Sequence, residues 1–173
     1  MLLRPQAAFP LARELQSVSG AALGDVFSFI SGLYFRGKVA YAGKYGDLPG
    51  GNGGGLVITP GEGLKFLQER VTVERLLAWA KVNVDESNPA FTEPLIGHCY
   101  ELTRVLGESA RYVLLGSIAT RKYLAPLSQG LGSERLWFPE SFLGRGDMSR
   151  GALMLRAARS GDELTYRQVS ALR

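Results

Sequence analysis

The chain has 173 residues, of which 46% are hydrophobic and 10% aromatic, and this composition excludes a disordered chain. Its one cysteine, Cys99, excludes an intramolecular disulfide, and with one histidine, His98, it excludes a zinc site of the usual Cys/His kind built from this chain alone. The net charge of +4 is modest for a nucleic-acid binder. We expect a soluble cytoplasmic protein without membrane contact, metal or cofactor.

The first third of the chain indicates two helices and a strand. Residues 11–18 are typical of a short helix. Apolar residues at helical spacing predict a helix within about Ser31 to Lys44, with Ser31 as candidate N-cap. The glycine-rich stretch 46–55 is typical of a flexible surface loop. Residues 56–60, LVITP, predict a buried strand, and the glycines of 61–64 predict a turn after it.

In the middle third, Thr72 and the residues up to Lys81 are typical of a short helix. Two prolines predict a strand or extended piece at 81–84 followed by an ordered loop, and the amphipathic run after it ends at Gly107. Residues 112–119, YVLLGSIA, give the clearest strand. A short helix limited by Pro126 and two glycines should follow.

The last third begins with a short strand at 135–139, RLWFP. Residues 151–161, GALMLRAARSG, favour a helix that ends at Gly161, with a hairpin as the alternative. Residues 164–169 alternate and predict a final strand. Strands interleaved with helices predict an α/β protein, organised as a single three-layer domain with a central mostly parallel or mixed sheet flanked by helices.

Positive charge is concentrated towards the C-terminal part of the chain. Between Arg111 and Arg159 there are eight basic and three acidic residues, a net of +5, which leaves −1 for the rest. This asymmetry favours an anionic ligand near that part. Solvated arginines on helix faces are the alternative explanation.

The stretch 142-FLGRGDMSRG-151 is suited to an anion if a helix follows it. Glycines allow backbone N–H groups to converge, a helix N-terminus carries partial positive charge, and arginine can hold phosphate through two parallel donors. It matches neither the P-loop nor the dinucleotide-binding pattern. The predicted contacts are Gly144, Arg145, Gly146, Ser149 and Arg150.

Two carboxylates are candidate catalytic groups. Asp147 has two interpretations, as the N-cap of the helix near Met148 or as a general base that orients water. Asp85 lies in a loop around Pro89 and could supply a carboxylate, although turn formation by aspartate and asparagine is the stronger explanation.

Further candidate ligand contacts come from three other segments. In α/β sheets ligands bind where strands end and helices begin, so the segments after the two predicted strands should share a site with the 142–151 stretch. The helix before the glycine-rich loop also mixes cations with tyrosines, a pattern found where phosphates or bases are held and equally where tyrosines pack on the core while lysines reach solvent. These segments contribute Arg36, Lys38, Thr59, Gly61, Ser117, Thr120 and Lys122.

The stretches 31-SGLYFRGKVAYAGKYG-46 and 56-LVITPGEGL-64 resemble the YaaA-like domains, which are related to enzymes of tRNA deazaguanine modification. Those domains pair a helix of this pattern with a strand that ends in a Gly-Leu turn. Here Ile58, Thr59 and Pro60 stand where the family has Ser-Ala-Lys. The resemblance covers about a third of the chain and implies a three-layer α/β domain linked to nucleic acid or its bases.

Three functions are consistent with these features. The first is binding or processing of a phosphorylated ligand, a nucleotide or nucleic acid, at the loops described above. The second is a non-catalytic interaction protein whose arginines dock an acidic partner. The third is a hydrolase or glycosylase-like enzyme that acts on a base or nucleoside, with Asp147 or Asp85 activating water.

Overall fold

The computed structural model of the chain describes residues 2–49 and 53–172, and it is 51% helical and 12% strand. The α-helices are α1 (Pro10–Gln16), α2 (Leu23–Ile30), α3 (Gly32–Tyr45), α4 (Val73–Trp79), α5 (Pro89–Leu106), α6 (Arg121–Leu131) and α7 (Asp147–Ser160). The strands are β1 (Ala21–Ala22), β2 (Leu56–Thr59), β3 (Gly63–Phe66), β4 (Arg70–Val71), β5 (Tyr112–Val113), β6 (Leu136–Pro139) and β7 (Tyr166–Gln168).

The strands of the described residues form three small sheets. β1 pairs antiparallel with β4, and β2 pairs with β3. The third sheet has the order β5-β6-β7 and is mixed, since β6 runs parallel to β5 and antiparallel to β7. The helix α6 connects the two parallel strands, which makes β5-α6-β6 a βαβ unit.

The chain divides into two compact units. Unit 1 contains Met1–Val57, Lys65–Lys81 and Gly146–Glu163, and unit 2 contains Ile58–Leu64, Val82–Arg145 and Leu164–Arg173. Each unit has its own buried hydrophobic cluster, centred on residues such as Leu15 and Val26 in unit 1 and Phe91 and Leu136 in unit 2. The predicted single three-layer domain with a central sheet stays a prediction.

In unit 1, α3 and α7 pack in parallel. A Cβ atom built on Gly37 would lie 2.6 Å from the carbonyl oxygen of Gly151, so the two backbones touch at this point. Further along both helices, Lys44 Nζ donates to the carbonyl of Ala158 at 2.7 Å and the Tyr45 hydroxyl donates to that of Ala157 at 2.9 Å. Because residue numbers increase together along both helices, their N-termini lie at the same end of the pair.

In unit 2, α5 and α6 also pack in parallel. The rings of Phe91 and Tyr123 meet edge to face, with centroids 6.2 Å apart, near the start of the helices. Farther along, a Cβ atom on Gly130 would overlap the Cβ atom of Cys99. His98, one residue before this contact, accepts a hydrogen bond at its Nδ1 from the backbone N–H of Leu64, 3.0 Å away.

Most of the predicted helices are confirmed, and 151–161 belongs to a helix rather than to a hairpin. α7 ends where expected, at Gly161, which has the left-handed φ of 88° that glycine adopts without strain. The apolar run after Asp25 holds two helices instead of one, because the chain turns at Ser31 and at Gly32, whose φ is 58°.

The loop predicted after residue 84 is shorter than expected, because α5 begins at Pro89. Pro89 occupies the first helical position, where its missing N–H has no intrahelical partner to lose, and the side chain of Asn88 accepts from Ala90 N–H at 3.2 Å. Pro94 and Pro126 both lie inside helices, so Pro126 does not limit α6. Pro126 is buried in the core of unit 2, and this packing outweighs one lost hydrogen bond.

The strand prediction at 112–119 was too long, and three strands, β1, β3 and β4, were missed. Of residues 112–119 only Tyr112 and Val113 pair with β6, and the described residues 81–84 form no strand. The turn expected at 61–64 already contains the start of β3, which pairs back on β2. Residues 50–52 of the glycine-rich loop lie outside the described residues, while Gly54 N–H donates to the carbonyl of Gly46 at 3.1 Å.

The helices of residues 2–49 and 53–172 are all too short or too polar to cross a bilayer.

Candidate functional site

The N-terminus of α7 lies inside the 142–151 stretch. Gly146 is the N-cap, with the extended backbone typical of that position, and it makes no side-chain capping bond. Asp147 is therefore the first helical residue and not the predicted N-cap. A helical backbone at Asp147 directs its carboxylate away from the N–H groups that a true N-cap side chain reaches.

Two cations and one carboxylate meet beside this helix start. Arg150 lies in the first turn of α7 with a side chain only 8% exposed, and its Nη1 is 3.7 Å from a carboxylate oxygen of Asp147, which is 67% exposed. Lys38 of α3 is half-buried, with its Nζ 4.1 Å from the centroid of the Tyr34 ring. We call Lys38, Asp147 and Arg150 the cation cluster.

The surroundings of Lys38 disfavour its charge. The pKa of its amine is lowered from 10.5 to about 8: burial is the main cause, the Asp147 carboxylate opposes it, and the nearby Arg150 guanidinium adds to the lowering. Desolvation penalises the ammonium form because apolar surroundings replace water. The cluster carries a formal charge of +1 in a partly buried position.

The two ends of the α3/α7 pair differ in whether the helix dipole stabilises the charged side chains beside them. At the C-terminal end, Lys44 binds a terminal carbonyl of α7, where a cation is stabilised. At the N-terminal end, the partial charge of the helix is positive, yet Lys38 and Arg150 lie there. Asp147 offsets one of the two cations, and an added anion would be stabilised by the remaining positive charge and by the helix dipole.

The other predicted residues of the 142–151 stretch lie near this cluster in sequence. Ser149 is exposed in the first turn of α7. Gly144 has a φ of 69°, so a non-glycine residue would be strained there. Gly144 and Arg145 belong to unit 2, whereas Gly146 and the residues after it belong to unit 1. Arg36 is exposed on α3.

Thr59 and Gly61 lie in unit 2, in the β2–β3 hairpin. The Thr59 side chain is fully buried, and its hydroxyl donates to the carbonyl of Gly63 at 2.9 Å. This bond closes the hairpin turn, which is a structural role for the hydroxyl.

Ser117, Thr120 and Lys122 lie in the turn of the βαβ unit and at the start of α6. Thr120 is the N-cap of α6 without a side-chain capping bond, and Ser117 Oγ accepts from the N–H of Ala119 at 3.4 Å. Lys122 Nζ lies 5.0 Å from the centroid of the Tyr123 ring. These residues and Thr59 belong to unit 2, so a site shared with Gly146–Arg150 stays a prediction.

Asp85 has the geometry of a turn residue. Its carboxylate accepts from the N–H of Ser87 at 2.9 Å and from the Ser87 hydroxyl at 2.6 Å. These hydrogen bonds lower the pKa of Asp85, since they stabilise the ionised form. A lowered pKa is the opposite of what a general acid or a strong general base needs at neutral pH.

Sequence reasoning missed the glycines that bring the cluster together. Gly37 and Gly151 allow α3 and α7 to approach closely enough for Lys38 and Arg150 to influence one another. Glycines inside helical patterns indicate close packing, and this was the available signal. The Tyr34 ring beside Lys38 is four residues earlier on the same helix.

Comparison of the chain with protein-family models, curated proteins and solved structures finds no match. The resemblance to the YaaA-like domains therefore stays a prediction.

Proposed function

We propose that this protein binds a phosphorylated ligand, a nucleotide or nucleic acid, at the N-terminal end of the α3/α7 pair. The observation that supports this proposal is the placement of Lys38 and Arg150 beside the N-terminus of α7, where the helix dipole disfavours cations. Partly buried ionisable groups with a shifted pKa are typical of functional sites. A phosphate at this end would be stabilised by both cations and by the helix.

The roles within the site follow from exposure. Lys38 is half-buried and Ser149 is exposed, so both can reach a ligand directly. The first backbone N–H groups of α7 have no intrahelical acceptor, and Gly146 supplies no side chain that would compete for them. Arg150 is buried, so it acts mainly through its charge across the low-dielectric interior.

The test is titration calorimetry with a mononucleotide, a sugar phosphate and a short oligonucleotide on the wild type, on Lys38→Gln and on Lys44→Gln. Lys44→Gln is the matched control, because it removes the same charge from the same helix at the opposite end of the pair. We expect Lys38→Gln to weaken binding by about tenfold or more, the value of one charge-assisted hydrogen bond. Lys44→Gln should bind as the wild type does.

The salt dependence of binding identifies the ligand class. If the ligand is nucleic acid, the logarithm of the affinity should fall steeply with the logarithm of the salt concentration, because each neutralised phosphate releases counterions. A mononucleotide gives a shallow slope. The proposal is wrong if none of the three phosphates binds, or if Lys44→Gln loses as much affinity as Lys38→Gln.

A further inference from the structure

The Lys38 amine has the surroundings of a nucleophile as well as those of an anion contact. Its Nζ lies over the Tyr34 ring and 5.7 Å from the centroid of the Phe35 ring, and the Arg150 guanidinium approaches from the first turn of α7. A lysine that is desolvated and placed beside a second cation loses its proton more easily than one in water. Its pKa of about 8 means that about a tenth of the amine is neutral at pH 7, far more than for a lysine in water.

Two other lysines, Lys44 and Lys65, have surroundings that favour the charged form. Lys44 donates to a carbonyl at the C-terminal end of α7, where the helix dipole stabilises an ammonium. Lys65 pairs with the Glu69 carboxylate at 3.5 Å, which also favours the charged form. Lys38 combines partial burial with a neighbouring cation.

We propose that Lys38 forms an imine with the carbonyl carbon of a phosphorylated aldehyde or ketone whose phosphate is held at the N-terminus of α7. This proposal rests on the proposed function and narrows its ligand class to one that carries both a phosphate and a carbonyl group. The phosphate brings the carbonyl next to the amine, and such proximity accelerates a bimolecular step.

The chemistry needs no oxidant or reductant. The lone pair of the neutral amine attacks the carbonyl carbon, a C–N bond forms, and the carbonyl oxygen becomes a hydroxyl. The nitrogen then loses its remaining proton, the C–O bond breaks, and the oxygen leaves as water while the C=N bond forms. Asp147, an exposed carboxylate in the same cluster, is placed to accept a proton from nitrogen and return it to the departing hydroxyl.

The test uses pyridoxal phosphate, a phosphorylated aldehyde, with pyridoxal as the probe that lacks the phosphate. The full chain is incubated with each probe between about pH 6 and about pH 8, reduced with borohydride, and analysed by intact mass and peptide mapping. We expect one adduct per chain, located at Lys38, about tenfold more abundant with pyridoxal phosphate than with pyridoxal. Its yield should rise with pH as the amine loses its proton.

Two variants locate the adduct. Lys38→Arg keeps a cation but has no nucleophilic amine, so the adduct should disappear, whereas Lys44→Arg should keep it. Labelling spread over several lysines, or equal labelling by pyridoxal, would overturn the proposal.

Pyridoxine phosphate, which has the phosphate but no aldehyde, separates this proposal from the proposed function. If it raises the melting midpoint of the wild type but not of Lys38→Gln, while pyridoxal phosphate gives no Lys38 adduct, the anion site stands and the imine is excluded. If neither effect is seen, both proposals fail.

Discussion

In unit 1, α3 and α7 pack in parallel where Gly37 meets Gly151, and in unit 2, α5 and α6 pack in parallel where Gly130 meets Cys99. The first pair brings together charged groups at its N-terminal end. The second pair has an edge-to-face contact of two aromatic rings at the corresponding end, and the first turn of α5 is capped by Asn88. The dipoles of parallel helices add at the N-terminal end of each pair. The second pair also has cations there, but its Arg121 is exposed and pairs with Glu86 at 3.0 Å, whereas Arg150 of the first pair is buried.

This contrast shows that close packing of two helices at a glycine does not by itself imply a ligand-binding site. Cys99 is buried at the contact of the second pair, and burial raises the pKa of its thiol to about 12, which leaves it protonated and unreactive. Lys38 is also desolvated, but its pKa is lowered towards neutrality, so burial makes the amine more reactive. Burial thus makes the Cys99 thiol unreactive and the Lys38 amine more reactive.

The largest effect should come from filling the contact of the first pair. In Gly37→Ala the new methyl group would lie 2.6 Å from a backbone oxygen that cannot move without shifting α7. We expect a loss of about 3 kcal/mol in the free energy of unfolding, measured by urea denaturation. Gly43→Ala is the control on the same helix, since it has no atom within 4 Å, and it should gain about 0.5 to 1 kcal/mol.

The contact of the second pair should be repairable, because one of its partners is a side chain. Gly130→Ala places a methyl group on the Cβ atom of Cys99 and should cost about 2 kcal/mol. Cys99→Gly removes the side chain that the new methyl group overlaps. The double variant should therefore be at least about 1 kcal/mol more stable than the sum of the single changes predicts. Simple additivity would mean that the helices adjust in some other way.

Lys38→Met tests whether the first pair carries an unfavourable charge. The pKa of Lys38 is lower in the folded chain than the ordinary 10.5, so between about 8 and 10.5 the unfolded chain binds more protons and wild-type stability rises with pH. We expect Lys38→Met to be about 1 to 2 kcal/mol more stable at neutral pH, and this advantage should shrink across that window. Lys44→Met should instead lose stability, since it gives up the bond to Ala158. An advantage of Lys38→Met that is independent of pH would contradict this account.

The smallest change in stability should come from exchanging the helix caps. Gly146→Asn gives α7 the type of cap that Asn88 gives α5, and the space around Gly146 is open. We expect a gain of only about 0.3 kcal/mol, and a similar loss for Asn88→Gly. The new amide would occupy N–H groups needed by the ligand, so Gly146→Asn should weaken phosphate binding by about tenfold. Unchanged phosphate affinity would show that those N–H groups take no part in binding.

Local pattern predicted the elements better than it predicted their contacts. The spacing of apolar residues identified α3 and α7, and Gly161 marked the end of α7. Asp147 was misplaced by one position, because glycine is also a good N-cap and Gly146 precedes it. The length of the strand at 112–119 was overestimated, because an apolar run indicates burial whether or not its residues pair with another strand.

The candidate site was predicted only in pieces. Lys38 and Arg150 were both expected to bind a ligand, but on separate segments. Their meeting depends on the approach of α3 and α7 at Gly37 and Gly151, a contact between distant parts of the chain that no local period encodes. The pKa of Lys38 depends on the same contact, so it could not be read from the sequence.

The α3/α7 pair also has a consequence for the order of events during synthesis. Lys44 and the Ala158 carbonyl that it binds are 114 residues apart in the chain. During synthesis, α3 therefore has no α7 to pack against until the greater part of unit 2 has been made. A contact between residues so far apart in sequence is also slow to form. The cation cluster is completed only when α7 emerges, so a nascent or truncated chain without that helix has no anion site.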